Sequence, residues 1–197
     1  MMNSMEPNSQ AVPQSASSSN ERDFIEDVLT QNGVEHRFVR HATVTSVQES
    51  LERGVPAQLG IPLDNVIKNL LVRDSQHRLF LLVASGMRNV NLRRLAQTLG
   101  TSHLSMARLD EAHGLFGKHK GSVSLFDLLK QTSAANNAEN LDISIVVDEG
   151  IRNISGEIAF AAGSDSESVL FPASDISRVT EAVGARTHHT ANSLAFA

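Results

Sequence analysis

The sequence predicts one α+β domain with a mixed, mostly antiparallel central sheet flanked by helices. Two neighbouring segments rich in Val, Leu and Phe, 65–73 and 78–85, have the composition of paired strands and are separated by a short polar turn. Segments with helical spacing of apolar residues lie on both sides of this hairpin. They do not alternate regularly with strands, as the helices of a parallel sheet would.

The other elements follow from periodicity and from stop signals. Phe24, Ile25, Val28 and Leu29 share one face of a helix that ends at Gly33. Along the rest of the chain the patterns predict a strand at 34–41, a helix at 47–53, the hairpin, helices at 91–99 and 110–114, strands at 141–147, 154–161 and 168–171, and a closing helix at 174–183.

Composition sets the boundaries of the domain. Residues 1–20 are rich in Ser, Asn, Gln and Pro and lack apolar periodicity, which predicts a disordered leader. Residues 186–197 have the composition of a flexible tail. The folded domain is therefore predicted to span residues 21–185.

The sequence excludes several classes of protein. It has no cysteine, which excludes a disulfide framework, a thiolate nucleophile and a Cys-ligated metal. No apolar run approaches the roughly 20 residues that cross a bilayer. Residues 1–20 have neither a basic residue nor the apolar core of a targeting segment. We therefore expect a soluble, cytoplasmic protein, and scattered histidines without a glycine-rich nucleotide motif predict neither a metal nor a cofactor.

Charge is unevenly distributed along the chain. The net charge is −5, yet the segment 68–130 holds ten Lys and Arg against four Asp and Glu. Because local potential governs docking, this segment could give an acidic protein a positive face for a polyanion. A solvated surface of mixed charge is the alternative.

Lys68 and Asn69 interrupt the apolar run 66–72. An ammonium and an amide inside a buried strand cost free energy unless partners satisfy them. The pair therefore predicts a pocket floor, where Lys68 meets a phosphate and Asn69 holds a polar group of a substrate. An edge strand with Lys68 facing solvent is the alternative. A second basic segment, 118–124, contains a glycine and could present backbone N–H groups to an anion, or be an ordinary loop.

These residues resemble the aminoacyl-tRNA editing domains of the YbaK/prolyl-tRNA deacylase family, and specifically the free-standing branch that hydrolyses Ala-tRNA(Pro). The segment 68–74, Lys-Asn-Leu-Leu-Val-Arg-Asp, is similar to the family's signature, and 121–126, Gly-Ser-Val-Ser-Leu-Phe, is similar to its glycine loop. The strand ending in His41, the helix at 91–95 and the segment 146–151 keep the family's order. The resemblance covers about residues 23–184.

The resemblance implies an activity, partners and a site. It implies metal-free hydrolysis of the ester that joins a wrong amino acid to the terminal ribose of tRNA, with tRNA and prolyl-tRNA synthetase as partners. Lys68 would bind the phosphate of the 3′-terminal nucleotide, Asn69 would shape the aminoacyl pocket, and the glycine loop would position water. The implied residues are Lys68, Asn69, Gly121 and Gly163 for catalysis, Ser46, Ile67, Leu70, Ser122, Val123 and Phe126 for substrate binding, and Arg88, Arg93, Arg94, Lys118 and Lys120 for tRNA binding.

This chain departs from the family's pattern at three places. Leu125 stands where the glycine loop usually has Pro, Ala161 and Ala162 stand where the branch has His-Pro, and Ser46 replaces Thr. These departures leave two alternatives open. One is a catalytically silent tRNA- or synthetase-binding module with the same fold, and the other is a deacylase for a different mischarged tRNA such as Cys-tRNA(Pro).

Overall fold

The computed structural model describes residues 15–117, 123–129, 143–183 and 187–189. Helices α1 to α6 span Ser15–Gln31, Val47–Glu52, Val55–Leu59, Leu92–Thr98, Leu109–Phe116 and Ile176–Ala182. Strands β1 to β8 span Arg37–Arg40, Ile67–Asp74, Leu79–Ser85, Leu104–Met106, Ile143–Val147, Glu157–Ala161, Glu167–Pro172 and Thr187–His189. Short 3-10 turns occupy Leu63–Asn65, Glu149–Asn153 and Ala173–Asp175.

The strands are divided between two sheets. One has three strands in the order β1-β7-β6, all antiparallel. The other has five in the order β4-β2-β3-β5-β8, with β5 parallel to both of its neighbours. The predicted α+β class is confirmed, while the single predicted sheet is two sheets. Among the described residues, β2 pairs with β4 only over Val72–Asp74, so the first half of β2 has an open edge there. The bridge between Val66 and Ala159 joins the two sheets at this end.

The main core lies between the two sheets and under α1 and α6. Ile67, Leu71 and Val83 of the larger sheet belong to one buried cluster with Phe160 and Phe171 of the smaller sheet. The opposite face of the larger sheet packs on α4, in a second cluster. Strand β2 is therefore covered on both faces, with alternate side chains in each core.

The turn of the predicted hairpin is confirmed, and Asp74 holds it together. This buried carboxylate accepts hydrogen bonds from the backbone N–H groups of Gln76 and Arg78, both at 2.9 Å. It also accepts from Arg78 Nε at 2.7 Å and from Thr101 Oγ1 at 3.2 Å. Burial alone would raise the pKa of Asp74, but the hydrogen bonds outweigh it and leave that pKa lowered.

Four segments differ from the predictions. Residues 15–20, predicted to belong to a disordered leader, are helical, because the amphipathic helix propagates back along a segment that contains no proline. Thr187–His189, predicted to lie in a flexible tail, pairs with the edge of β5. The segment Val55–Leu59 is helical although it contains Pro56, because proline is tolerated in the first turn. Strand β4 was not predicted, because three residues carry too little periodicity.

Within the part of the chain that the structure describes, we find no helix with both the length and the apolar character needed to cross a bilayer.

Candidate functional site

A cavity of about 500 Å³ lies beside the open half of β2. Its walls come from α2 and α3, from the first residues of β2, and from β6 and the segment that joins it to β7. Most of the wall is apolar. The polar side chains on it are those of His41, Thr45, Ser46, Ser50, Lys68, Asn69, Ser164, Asp165, Glu167 and Ser168.

Lys68 is half-buried in this wall. Its ammonium donates to the backbone carbonyl of Gly86 at 3.2 Å and to that of Arg88. Burial lowers the pKa of Lys68. No acidic group contributes to that shift, and a lysine ammonium has three donors. The two carbonyls hold the ammonium in place, and a donor remains for an anion in the cavity.

Asn69 is the unsatisfied group of the site. Its Oδ1 is buried and has no hydrogen-bond partner among the residues that the structure describes. Buried side-chain acceptors are paired in most proteins, because an unpaired one costs free energy. Asn69 also lines the cavity, so this unpaired acceptor belongs to a side chain of the cavity wall.

Gly86 allows the end of β3 to approach α2. A Cβ built at this glycine would lie 2.8 Å from the carbonyl oxygen of Val66 and 2.9 Å from Cγ1 of Val47. Its N–H donates to that Val66 oxygen at 2.7 Å. The glycine therefore places its own carbonyl where Lys68 can donate to it.

The structure brings four of the six predicted substrate-binding residues to the cavity: Ser46, Ile67, Leu70 and Val123. Ser46 also caps α2, where its Oγ accepts from the N–H of Glu49 at 3.1 Å. Phe126 lies elsewhere, because it is 2% exposed and packs edge-to-face on Phe160 in the core. The remaining residue, Ser122, lies outside the described residues.

The described part of the predicted glycine loop, 123–126, is held to β6 by a hydrogen bond. Ser124 Oγ donates to the carbonyl of Ala161 at 2.8 Å, and the Ser124 N–H donates to Asp127 Oδ2 at 2.7 Å. Leu125, where the family has Pro, is fully buried. Hydrogen bonds and packing thus anchor this segment. Gly121, Lys118 and Lys120 were predicted to act beside it, and they lie outside the described residues.

Gly163 does not line the cavity. It has φ +86°, and a Cβ built on it would lie 2.6 Å from Oε2 of Glu21 in α1. Backbone conformation and the close approach of α1 both require glycine here. The structure gives Gly163 a packing role against α1. Its predicted role in catalysis stays a prediction.

The three predicted tRNA-binding arginines of the described chain are exposed. The backbone carbonyl of Arg88 accepts a hydrogen bond from Lys68. A Cβ built at Gly150 would lie 3.4 Å from Nη1 of Arg88. Arg93 and Arg94 lie on α4, whose first turn is capped by Asn91. Arg88 is thus placed beside the cavity through Lys68.

The sequence predictions missed His41, Ser168 and Glu167 as cavity residues. His41 Nε2 lies 3.0 Å from Ser168 Oγ, and its Nδ1 lies 2.8 Å from the carbonyl oxygen of Ala42. Glu167 is buried and pairs with Arg22 at 3.2 Å. His41 and Ser168 are 127 residues apart, and the pairing of β1 with β7 brings them together. Glu167 and Arg22 are 145 residues apart, and their contact joins β7 to α1.

Among the described residues, no group of three or more His, Cys, Asp or Glu side chains is arranged to hold a metal ion. The prediction of a metal-free site stays a prediction.

Comparison with known proteins gives consistent matches. Residues 48–195 match the aminoacyl-tRNA editing domain family. The prolyl-tRNA editing protein ProX of Acetoanaerobium sticklandii is 25% identical over 159 residues, which are 79% of this chain and 88% of that protein. The crystal structure of hypothetical protein APE2540 has a TM-score of 0.62 at 21% identity, over 83% of this chain and 95% of that one. The structure of a candidate trans-editing enzyme for prolyl-tRNA synthetase has a TM-score of 0.61 at 17% identity, over 90% of this chain and 98% of that one.

Proposed function

The chain belongs to the aminoacyl-tRNA editing domain family, and we propose that it is a trans-editing hydrolase that deacylates mischarged tRNA, with Ala-tRNA(Pro) as its substrate. The observation that carries this proposal is that one cavity is lined by both Lys68 and Asn69, whose buried Oδ1 has no hydrogen-bond partner among the described residues. The ammonium of Lys68 can bind an anion, and the amide oxygen of Asn69 can accept from a hydrogen-bond donor. An aminoacylated tRNA end carries both, as a phosphate and an α-ammonium.

Lys68, Asn69 and the apolar wall each have a part in this proposal. Lys68 binds the phosphate of the 3′-terminal nucleotide, since its ammonium is held by two neutral carbonyls. Asn69 Oδ1 accepts from the α-ammonium of the aminoacyl group. The apolar wall formed by residues such as Ile67 and Val123 contacts the amino-acid side chain. The ester is thereby held in one orientation, which is itself a large part of catalysis.

The chemistry proposed is hydrolysis of an ester by water. Aminoacyl esters are reactive, so positioning the carbonyl and orienting dipoles toward the developing oxyanion can supply the acceleration. Backbone N–H groups of the glycine loop, at Gly121 and Ser122, are the proposed donors. Neither a metal nor a cofactor is part of this proposal.

The proposed substrate follows from the logic of a double sieve. A synthetase pocket built for proline rejects the smaller alanine by only about 1–3 kcal/mol, so a second pocket is needed to remove the error. The relative named above is a prolyl-tRNA editing protein. Prolyl-tRNA synthetase, which would make the mischarged tRNA, is a proposed partner.

The body of the tRNA is proposed to dock on the basic segment of the chain. Arg88, Arg93 and Arg94 are exposed and would contact phosphates, together with Lys118 and Lys120. Most contacts of proteins with nucleic acids are to phosphates and sugars. Binding should therefore weaken steeply as salt rises.

The decisive experiment is deacylation of purified Ala-tRNA(Pro), with Pro-tRNA(Pro), Cys-tRNA(Pro) and Ala-tRNA(Ala) alongside and a chelator present. We expect chelator-resistant release of alanine from tRNA(Pro) only. Preferential release of cysteine would identify Cys-tRNA(Pro) as the substrate in place of Ala-tRNA(Pro), and the proposed deacylase activity would stand. Retention of tRNA without release of any amino acid would contradict the activity and identify a silent binding module.

A further inference from the structure

His41 and Ser168 form a hydrogen-bonded pair in the cavity wall. His41 follows β1, and Ser168 lies in β7, the central strand of the smaller sheet. His41 Nε2 lies 3.0 Å from Ser168 Oγ. Both residues line the same cavity as Lys68 and Asn69, and none of the roles given above uses them.

The hydrogen bonds determine which ring nitrogen carries the proton. His41 Nδ1 lies 2.8 Å from the carbonyl oxygen of Ala42, and a carbonyl can only accept. Nδ1 is therefore the donor, and in the neutral ring Nε2 is an acceptor. Ser168 must then donate its hydroxyl proton to Nε2. In an activated proton-transfer pair, a hydroxyl donates to a basic nitrogen and a third group orients the ring that carries this nitrogen. His41, Ser168 and the Ala42 carbonyl have this arrangement.

The neighbouring strands leave the Ser168 hydroxyl facing the cavity. Ser168 lies directly across from Ala161 in the pairing of β7 with β6, so the two side chains are on the same face. Ala161 presents only a methyl group, and it also lines the cavity. Because the hydroxyl proton is directed to His41, the lone pairs of Ser168 Oγ can accept a hydrogen bond from a molecule in the cavity.

The pair is also held firmly. The backbone N–H of His41 donates to the carbonyl of Ser166 at 2.9 Å. Glu167, next to Ser168, is buried and pairs with Arg22 of α1, whose guanidinium lies 4.5 Å from the ring centroid of Phe38. A fixed geometry of this kind is what proton transfer at an ester requires.

We propose that His41 and Ser168 form the proton-accepting pair for ester hydrolysis in this cavity, an inference that rests on the proposed deacylase function. Ser168 is a catalytic residue that binds the attacking water, and His41 is a positioning residue that acts through it. The water oxygen bonds to the ester carbonyl carbon while its proton passes to Ser168 Oγ and the serine proton passes to His41 Nε2. When the ester C–O bond breaks, the same route returns the proton to the ribose oxygen, giving the free amino acid and a ribose hydroxyl.

The test compares the chemical step with binding in His41→Gln, Ser168→Ala and a matched control, His36→Gln. His36 Nδ1 also lies 2.8 Å from a backbone carbonyl oxygen, that of Val34, but His36 does not line the cavity. The rate is measured by single-turnover release of alanine from Ala-tRNA(Pro). Binding is measured with the same tRNA carrying alanine in an amide linkage, which is not hydrolysed.

We expect both cavity variants to react about 100-fold more slowly, the lower end of the range for general acid–base groups. Their affinity for the amide-linked tRNA should stay within twofold, and His36→Gln should keep the wild-type rate. Imidazole added to His41→Gly should restore part of the rate, which a purely structural histidine would not allow.

Two results would overturn this inference alone. One is a His41→Gln variant that releases alanine at the same rate as an active wild-type protein. The other is a parallel loss of rate and affinity in both variants without rescue by imidazole. A wild-type protein that releases no amino acid from any tRNA would overturn the proposed function and this inference together, so the two failures are distinguishable.

Discussion

Strand β2 carries polar residues at both ends, and the two ends differ in how those residues are satisfied. At the turn, Asp74 accepts hydrogen bonds from Gln76, Arg78 and Thr101, and Arg73 Nη1 lies 2.7 Å from an oxygen of Glu111. At the cavity, Lys68 bonds only to backbone carbonyls, and Asn69 Oδ1 has no partner in the described chain. Polar groups that the fold satisfies stabilise it, and groups that it leaves unsatisfied beside a cavity are available to a ligand.

The largest effect is expected at the turn. Asp74→Ala removes a buried carboxylate and leaves two backbone N–H groups of the turn without their acceptor. We expect a loss of about 3 kcal/mol in the free energy of unfolding, measured by urea denaturation. Deacylation per folded molecule should be unchanged. Asp110→Ala is the control, because its ion pair with Arg108 is exposed and should contribute less than about 1 kcal/mol.

The direction of the Asp74 pKa shift adds a dependence on pH. Its folded-state pKa is lowered, so the carboxylate stabilises the fold above its unfolded pKa of about 3.9. That contribution is lost as pH falls from there through the folded pKa. Asp74→Asn should lose less stability than the wild type over this acid range. Equal acid sensitivity of the two proteins would contradict the assignment of the turn to Asp74.

A second effect, on activity, is expected at the other end of the strand. Lys68→Ala should lower kcat/KM for Ala-tRNA(Pro) about 100-fold, equivalent to about 2.7 kcal/mol, because the terminal phosphate loses its cation. Its free energy of unfolding should change by no more than about 1 kcal/mol, since two carbonyls near the surface lose a donor. Steady-state kinetics and urea denaturation measure the two quantities.

Arg73→Ala is the matched control for Lys68. It removes a cation from the same strand, and its partner Glu111 is half-buried beside it. We expect less than a threefold change in kcat/KM. If Arg73→Ala lowered activity as much as Lys68→Ala, the two ends of β2 would not differ in function, and the assignment of Lys68 would be wrong.

The same strand shows how much the sequence can predict. Lys68 and Asn69 stood out because polar residues interrupt an apolar run, and the structure has both in the wall of a cavity. Their predicted roles in binding and catalysis stay predictions. Asp74 belongs to the same signature segment, yet it serves the turn, because a motif does not tell which of its polar atoms the fold satisfies. The contact of His41 with Ser168 could not be predicted, since the two residues are 127 positions apart and strand pairing brings them together.

The smallest effect compares two asparagines four residues apart, and it tests the distinction between the ends most directly. Asn65 is buried and satisfied, because its Nδ2 donates to the carbonyls of Ser155 at 3.3 Å and Glu157 at 2.8 Å. Asn69 lines the cavity, and its buried Oδ1 has no partner among the described residues. We expect Asn69→Ala to weaken binding of amide-linked Ala-tRNA(Pro) about tenfold, equivalent to about 1.4 kcal/mol, because the α-ammonium loses an acceptor.

The fold should respond in the opposite sense at these two positions. Asn69→Ala should leave the free energy of unfolding unchanged or raise it, because removing an unpaired buried acceptor relieves its desolvation cost. Asn65→Ala should lower it by about 1–3 kcal/mol and leave binding of the amide-linked tRNA unchanged. Titration of that tRNA and urea denaturation of both variants measure the two responses. A loss of stability in Asn69→Ala equal to that in Asn65→Ala would mean that Oδ1 of Asn69 is satisfied in the folded protein, and the polar half of the proposed amino-acid site would lose its basis.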